Sequence, residues 1–163
     1  MKKIIKTLLP LLAVIFFLQT CKKDNKDTDA DNALYDETKM GSYSYYQNGD
    51  TLAGASSSPH GSFKLRFNST AAAALDSTGE LPSGSSFPTG SILVKEIFSG
   101  NSIDLLAVMK KDPSDGNAGS GWIWAEFNTD GSAKFSTGKK GDGCISCHST
   151  SPHRDLVRTF DFH

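Results

Sequence analysis

Four short segments carry apolar residues at the spacing of β-strands, and that spacing limits the fold more than any other feature of the chain. Residues 62–68, SFKLRFN, alternate Phe63, Leu65 and Phe67 with Lys64 and Arg66, so one face meets a core and the other meets water. Residues 91–98, SILVKEIF, are apolar on both faces apart from Lys95 and Glu96. Residues 102–109, SIDLLAVM, and 121–128, GWIWAEFN, read as a third and a fourth strand around the loop KKDPSDGNAGSG, and Asn128-Thr129-Asp130-Gly131 marks a turn into SAKF. Between the first two strands, STAAAALDSTG predicts a short helix capped by Ser69 or Thr70 and stopped at Gly79, followed by the turn-rich LPSGSSFPTG. The pattern predicts an α+β domain, mainly antiparallel β, with one or two short helices and a cysteine-containing C-terminal segment. Its expected core includes Phe63, Leu65, Phe67, Leu93, Ile97, Leu105, Ala107, Trp124 and Phe127.

The N-terminal end is of another kind. Lys2, Lys3 and Lys6 precede an apolar run from Leu8 to Leu18, too short to span a bilayer comfortably and typical of an export signal. It ends in Leu18-Gln19-Thr20-Cys21, a loose form of the bacterial lipobox, which makes Cys21 the expected lipidated first residue of the mature chain. An ordinary cleaved signal with Cys21 as a stray thiol is the alternative. Each buried methylene of an anchor contributes about 0.8 kcal/mol, so two or more acyl chains hold a protein on a membrane without a hydrophobic helix. Lys22 rather than Asp follows Cys21 and gives no inner-membrane retention cue, so a periplasm-facing anchor in the outer membrane is the expectation.

Loss of residues 1–20 removes three of the 17 basic side chains and no acidic one, leaving 14 against 18, a balance that argues against nucleic acid as a partner. Residues 21–40 are charged and poor in large apolar side chains, so they read as a flexible tether between the lipid and a single domain at 41–163.

Near the C-terminus the segment GDGCISCHST places Cys144 and Cys147 two residues apart, with His148 directly behind. A CxxCH sequence lets each sulfur add to one vinyl group of a haem while the adjacent imidazole ligates the iron, its other nitrogen donating to a carbonyl that fixes the ring. A structural zinc site needs four ligands, and beyond this segment the chain offers only the scattered His60, His153 and His163. A thioredoxin-like redox pair calls for a βαβ unit, which the pattern lacks. A Cys144–Cys147 disulfide suits an oxidising compartment but leaves His148 unexplained. One covalent haem c, with His148 as metal ligand, is the favoured reading.

With the haem motif at the end of a strand-rich domain, the chain resembles the cytochrome P-460 family, which includes the cytochromes c′-beta. The likeness runs from about His60 to Thr159 through PHGSFKLRFN, FPTGSILVKEIF, LLAVMKK, GWIWAEFNTDG and CISCHSTSPHRDLVRT, whose tail runs from Asp155 to Thr159. The resemblance implies a β-rich haem protein. It also matches Lys95 to a lysine that, in the cytochromes naming the family, is bonded to the haem macrocycle, which makes Lys95 a cofactor-binding and catalytic candidate. The residues support something unusual there: on a strand Leu93, Lys95 and Ile97 point one way and Ile92, Val94, Glu96 and Phe98 the other, so each charge lies in an apolar row. Snorkelling of Lys95 from a sheet edge is the plainer alternative.

Family members that oxidise hydroxylamine place a carboxylate beside the bound ligand. Alignment of LLAVMK with that segment puts Leu106 at the carboxylate position and turns the expectation towards an apolar pocket lined by Phe63, Phe67, Leu106 and Phe127. Glu96 and Glu126 are other carboxylates nearby in sequence. Three functions follow: binding of a small neutral ligand such as nitric oxide at an open haem site, which ranks first; oxidation of hydroxylamine or reduction of nitric oxide at a lysine-modified haem; and electron transfer with a sixth ligand from His60, His153, His163, Met40 or Met109. A redox partner cytochrome and a second copy of the chain are compatible partners.

Overall fold

The computed structural model of the chain describes residues 25–55 and 58–163; the segment expected to be an export signal and Cys21 lie outside them. Six strands form one antiparallel sheet in chain order: β1 (Tyr43–Tyr45), β2 (Phe63–Asn68), β3 (Ile92–Ser99), β4 (Ser102–Lys111), β5 (Trp122–Asn128) and β6 (Ala133–Phe135). Around it lie helices α1 (Asn25–Glu37), α2 (Ser69–Ala72) and α3 (Cys144–His148), with three short 3-10 turns. The α+β, mainly antiparallel architecture is the one that the alternating segments predict. No helix among the described residues is long and apolar enough to cross a membrane.

Strand pairing fixes which side chains share a face. Leu65 lies opposite Lys95, Lys95 opposite Ala107, and Ala107 opposite Glu126, so these four form one row across β2, β3, β4 and β5. The rows beside it are Phe67, Leu93, Met109, Trp124 and Phe63, Ile97, Leu105. This face packs under Tyr46, Leu81, Phe87, Val157 and Phe160, with Phe67 stacked against both Phe87 and Phe160 at centroid distances of 6.5 and 6.1 Å. The opposite face, with Ile92, Val94, Leu106, Val108, Ile123, Ala125 and Phe127, packs against Leu34 and Tyr35 of α1. Both faces of β3 and β4 are therefore covered, and this is why those segments are apolar on both sides.

Of residues 21–40, read as a tether, the described ones form α1 and its end, which pack on the sheet. Asp31, Leu34, Tyr35 and Thr38 are all buried and recur at the spacing of one helical face, although the composition around them is polar. The Asp31 carboxylate accepts the backbone N–H and hydroxyl of Thr137 at 2.8 and 2.7 Å, and the Tyr35 hydroxyl donates to the Thr129 carbonyl at 2.7 Å. Gly131, in the hairpin turn after β5, has φ +92° and faces the Tyr35 ring, so a Cβ there would meet the ring directly. Two smaller differences concern α2 and β1. Asn68 caps α2, accepting the Ala71 N–H at 2.9 Å and the Ile92 N–H at 3.0 Å, and the helix ends at Ala72 instead of running towards Gly79. β1 joins the sheet beside β2 at Tyr43–Tyr45, where only a short Ser/Tyr alternation signals it.

The charge at Glu96 is accounted for on the α1 side of the sheet. Arg66 donates from Nε to Glu96 at 2.7 Å, and Tyr45 donates its hydroxyl at 3.2 Å. The same guanidinium donates to the Thr38 carbonyl just beyond the end of α1 at 2.9 Å and lies 4.4 Å over the Tyr43 ring. Removing one partner of such a pair costs about 3–5 kcal/mol, because the other charge is left buried.

Since Leu34 is buried against the sheet, Leu34→Ala is expected to lower the unfolding free energy by about 2–4 kcal/mol in urea denaturation. A residue in a solvated tether gives no measurable change.

Candidate functional site

A half-enclosed cleft of about 220 Å³ opens between the sheet face that carries Lys95 and the C-terminal segment. In the central row Ala107, the small residue between Lys95 and Glu126, lines the cleft with both of them. Phe63, Leu65, Leu93, Met109, Trp124 and Val157 make the apolar walls. Cys144, Cys147 and His148 line the same cleft from α3, as do His60, Arg158 and His163 from flanking loops.

The approach to α3 is set by backbone geometry. Lys140, Gly141 and Gly143 all have positive φ, at 52°, 75° and 83°, and the chain reverses over Trp124 before the helix starts. A Cβ at Gly141 would come within 2.5 Å of the Trp124 ring, so this close passage needs glycine. Cys144 is half-buried and Cys147 exposed, and both are free thiols. Burial first, then the nearby Glu126 and Asp142, push the Cys144 thiol up, so it stays protonated at neutral pH.

His148 is fixed on two sides. Its ring meets Trp124 edge-on at 5.0 Å, and its Nδ1–H donates to the Leu156 carbonyl at 2.7 Å. That bond selects the tautomer with a free lone pair on Nε2, the form needed for metal ligation. Burial lowers the His148 pKa to about 4 against the opposing pull of the Leu156 bond, so the ring is neutral across the physiological range.

Lys95 lies in the same cleft with its Nζ 4.0 Å over the Phe63 ring, and no carboxylate pairs with it among the described residues. The cleft leaves part of its surface accessible, yet the surrounding protein removes most of its solvation, and desolvation lowers its pKa to about 8. Arg158 also reaches the cleft. It donates to the Cys147 carbonyl and sulfur at 3.3 and 3.2 Å, while its Nε is buried without a hydrogen-bond partner.

The pocket expectation needs correction residue by residue. Phe63 lines the cleft. Phe67 lies in the core behind it, packed against Phe87 and Phe160, while Leu106 and Phe127 belong to the opposite face beneath α1. The carboxylate missing at Leu106 is present one strand further on: Glu126 lines the cleft and takes a hydrogen bond from His60 Nε2 at 3.3 Å. That bond, more than opposing burial, holds the Glu126 carboxyl below its usual range. Parity within WIWAEFN carries the signal, since Glu126 shares a face with Trp124 and Phe127 does not. Of the five candidate sixth ligands, His60, His163 and Met109 line the cleft; Met40 is 61% exposed on the surface and His153 lies in an exposed loop.

The family model described as Cytochrome P460 matches residues 43–159, most of the chain, and the chain belongs to that family. No curated protein matches it. Membership makes it a haem protein of P460 type, and the cleft agrees with that cofactor. The walls are apolar, a neutral imidazole offers Nε2, and two cations, Lys95 and Arg158, have donor groups without carboxylate partners, as propionate-bearing macrocycles require.

The desolvated Lys95 has a consequence for stability. Its folded pKa of about 8 lies below the unfolded value of 10.5, so between these limits the unfolded chain binds more protons and stability rises with pH. Denaturation of the cofactor-free chain at pH 7.5 and 10.5 should show a gain of up to about 3 kcal/mol from this group. Lys95→Met should lack that gain.

Proposed function

We propose that the chain is an exported, lipid-anchored mono-haem c-type cytochrome of P460 type that binds a small nitrogen-oxide ligand such as nitric oxide. The observation that carries the reading is the convergence of both thiols of CISCH, the free Nε2 of His148 and the Lys95 amine on one apolar cleft. Cys144 and Cys147 are the attachment sulfurs in this reading, and His148 is the iron ligand. Bound there, haem supplies an iron that coordinates a small neutral ligand and exchanges single electrons. The chain itself fixes the ring of His148 through Leu156, surrounds the site with the apolar Phe63, Leu93 and Met109, and presents an amine whose pKa desolvation lowers to about 8. Such an amine suits a bond to the macrocycle edge. Lipidation at Cys21 and export rest on the signal-like residues 1–20.

A second reading, oxidation of hydroxylamine, is favoured by the Glu126–His60 pair. A carboxylate in the cleft, hydrogen-bonded to an imidazole that lines the same cleft, can accept a proton from a bound nitrogen compound. The apolar pocket expected from Leu106 weighed against catalysis, and the presence of Glu126 on the cleft side removes that weight.

Absorption spectra of the purified protein test both readings. Two thioether bonds give an ordinary c-type haemochrome after denaturation, and Cys147→Ala should lose covalently retained haem. A lysine bond to the macrocycle gives a strongly red-shifted reduced band that Lys95→Ala abolishes while haem attachment persists; the same shifted band in that variant contradicts the bond. Nitric oxide should change the spectrum at stoichiometric amounts. Turnover of hydroxylamine with an electron acceptor that falls at least about 100-fold in Glu126→Gln identifies the enzyme, and no turnover together with tight ligand binding identifies the binding protein.

A further inference from the structure

The tail at residues 154–157 contains a backbone turn that the haem reading does not by itself explain. Arg154 and Val157 exchange both of their backbone hydrogen bonds at 2.9 Å, and the two residues between them, Asp155 and Leu156, have φ of +49° and +68°. Two consecutive positive φ values make a turn of the type that normally selects Asn-Gly, and a leucine at the second position is strained. Such strain persists only where the surroundings over-determine the conformation.

The surroundings here are specific. The Asp155 carboxylate accepts from Lys111 Nζ at 2.7 and 2.9 Å and from the Phe87 N–H at 2.9 Å. Both side chains of the pair are largely buried, at 12% and 10% exposure, and the Lys111 ammonium lies 4.8 Å over the Trp122 ring. Arg154, at the first position of the turn, donates to the Leu81 carbonyl at 2.8 Å. The output of the turn is the direction of the Leu156 carbonyl, which accepts the Nδ1–H of His148 at 2.7 Å. A turn relaxed to ordinary negative φ would rotate that carbonyl away. Lys111 ends β4, the strand whose Ala107 and Met109 line the cleft, so one strand contributes both to the wall of the site and to the clamp on the turn.

We propose that Asp155 is a positioning residue: through its ion pair with Lys111 it holds the left-handed turn that aims the Leu156 carbonyl at His148, and so sets the electron donation of that imidazole to the iron. The inference rests on His148 being the haem ligand. A donated Nδ1–H gives the ring partial imidazolate character and makes it a stronger donor, which favours ferric iron.

The test uses the haem-loaded full chain and reads the reduction potential together with the iron–histidine stretching frequency of the ferrous protein. Asp155→Asn and Lys111→Gln should each raise the potential and lower the stretching frequency. Lys111→Arg, which keeps the charge pair, should remain at the wild-type values. Leu156→Gly should make the turn independent of the clamp, so that Asp155→Asn in that background shifts the potential much less than it does alone. Lys111→Gln, which leaves the residues of the turn itself unchanged, carries the same expectation if Asp155→Asn does not fold. A folded, haem-loaded Lys111→Gln or Asp155→Asn protein with both readouts unchanged overturns the clamp while leaving the haem reading intact. A wild-type protein that takes up no haem overturns both.

Discussion

The register of β3 between β2 and β4 is the constraint from which the rest of the site follows. With Lys95 opposite Leu65 and Ala107, the amine enters the cleft and Glu96 turns towards α1. Because side chains alternate with a period of two, a slip of one residue would send Lys95 beneath the helix and Glu96 among the apolar walls of the cleft. The slip is opposed on both faces at once. Leu93 and Ile97 are buried on one side, Ile92 and Val94 on the other, and the Arg66–Glu96 pair forms only in the observed register.

Two adjacent charges on one strand thus have different physical fates. Glu96 is answered by a guanidinium and a tyrosine hydroxyl, and the same guanidinium reaches the end of α1, so its role is to tie the helix to the sheet. Lys95 has an aromatic ring and, among the described residues, no carboxylate partner, and burial lowers its pKa to about 8. A buried amine left without a protein counter-charge is costly to the fold alone, and it makes sense when a further group shares the cleft. The same contrast separates the histidines: His148 is held by a backbone carbonyl and a tryptophan edge, whereas His60 is turned towards Glu126.

Much of this was legible in the residues. Alternation in FKLRF and the doubly apolar SILVKEIF announce β2 and β3, and CISCH marks the C-terminal segment that lines the cleft, though not that it is helical. What alternation could not give was the cover on each face. Leu106 and Phe127 look like pocket residues by hydrophobicity, but they lie on the parity that α1 covers, and α1 itself was hidden because only Leu34 and Tyr35 interrupt its polar composition. Phe63 and Phe67 share a parity and differ only because Phe87 and Phe160, distant in sequence, close over Phe67. Glu126 was readable from its parity with Trp124. Its partnership with His60 joins residues 66 positions apart and had no local signal.

The central claim is that the C-terminal helix holds its cofactor through both sulfurs, and the most direct measurement is the mass of the peptide containing Cys144 and Cys147 from protein produced in a host able to mature c-type cytochromes. The account predicts a peptide heavier by one haem, with neither cysteine open to alkylation. A peptide of unmodified mass, with both thiols reacting freely, would contradict it.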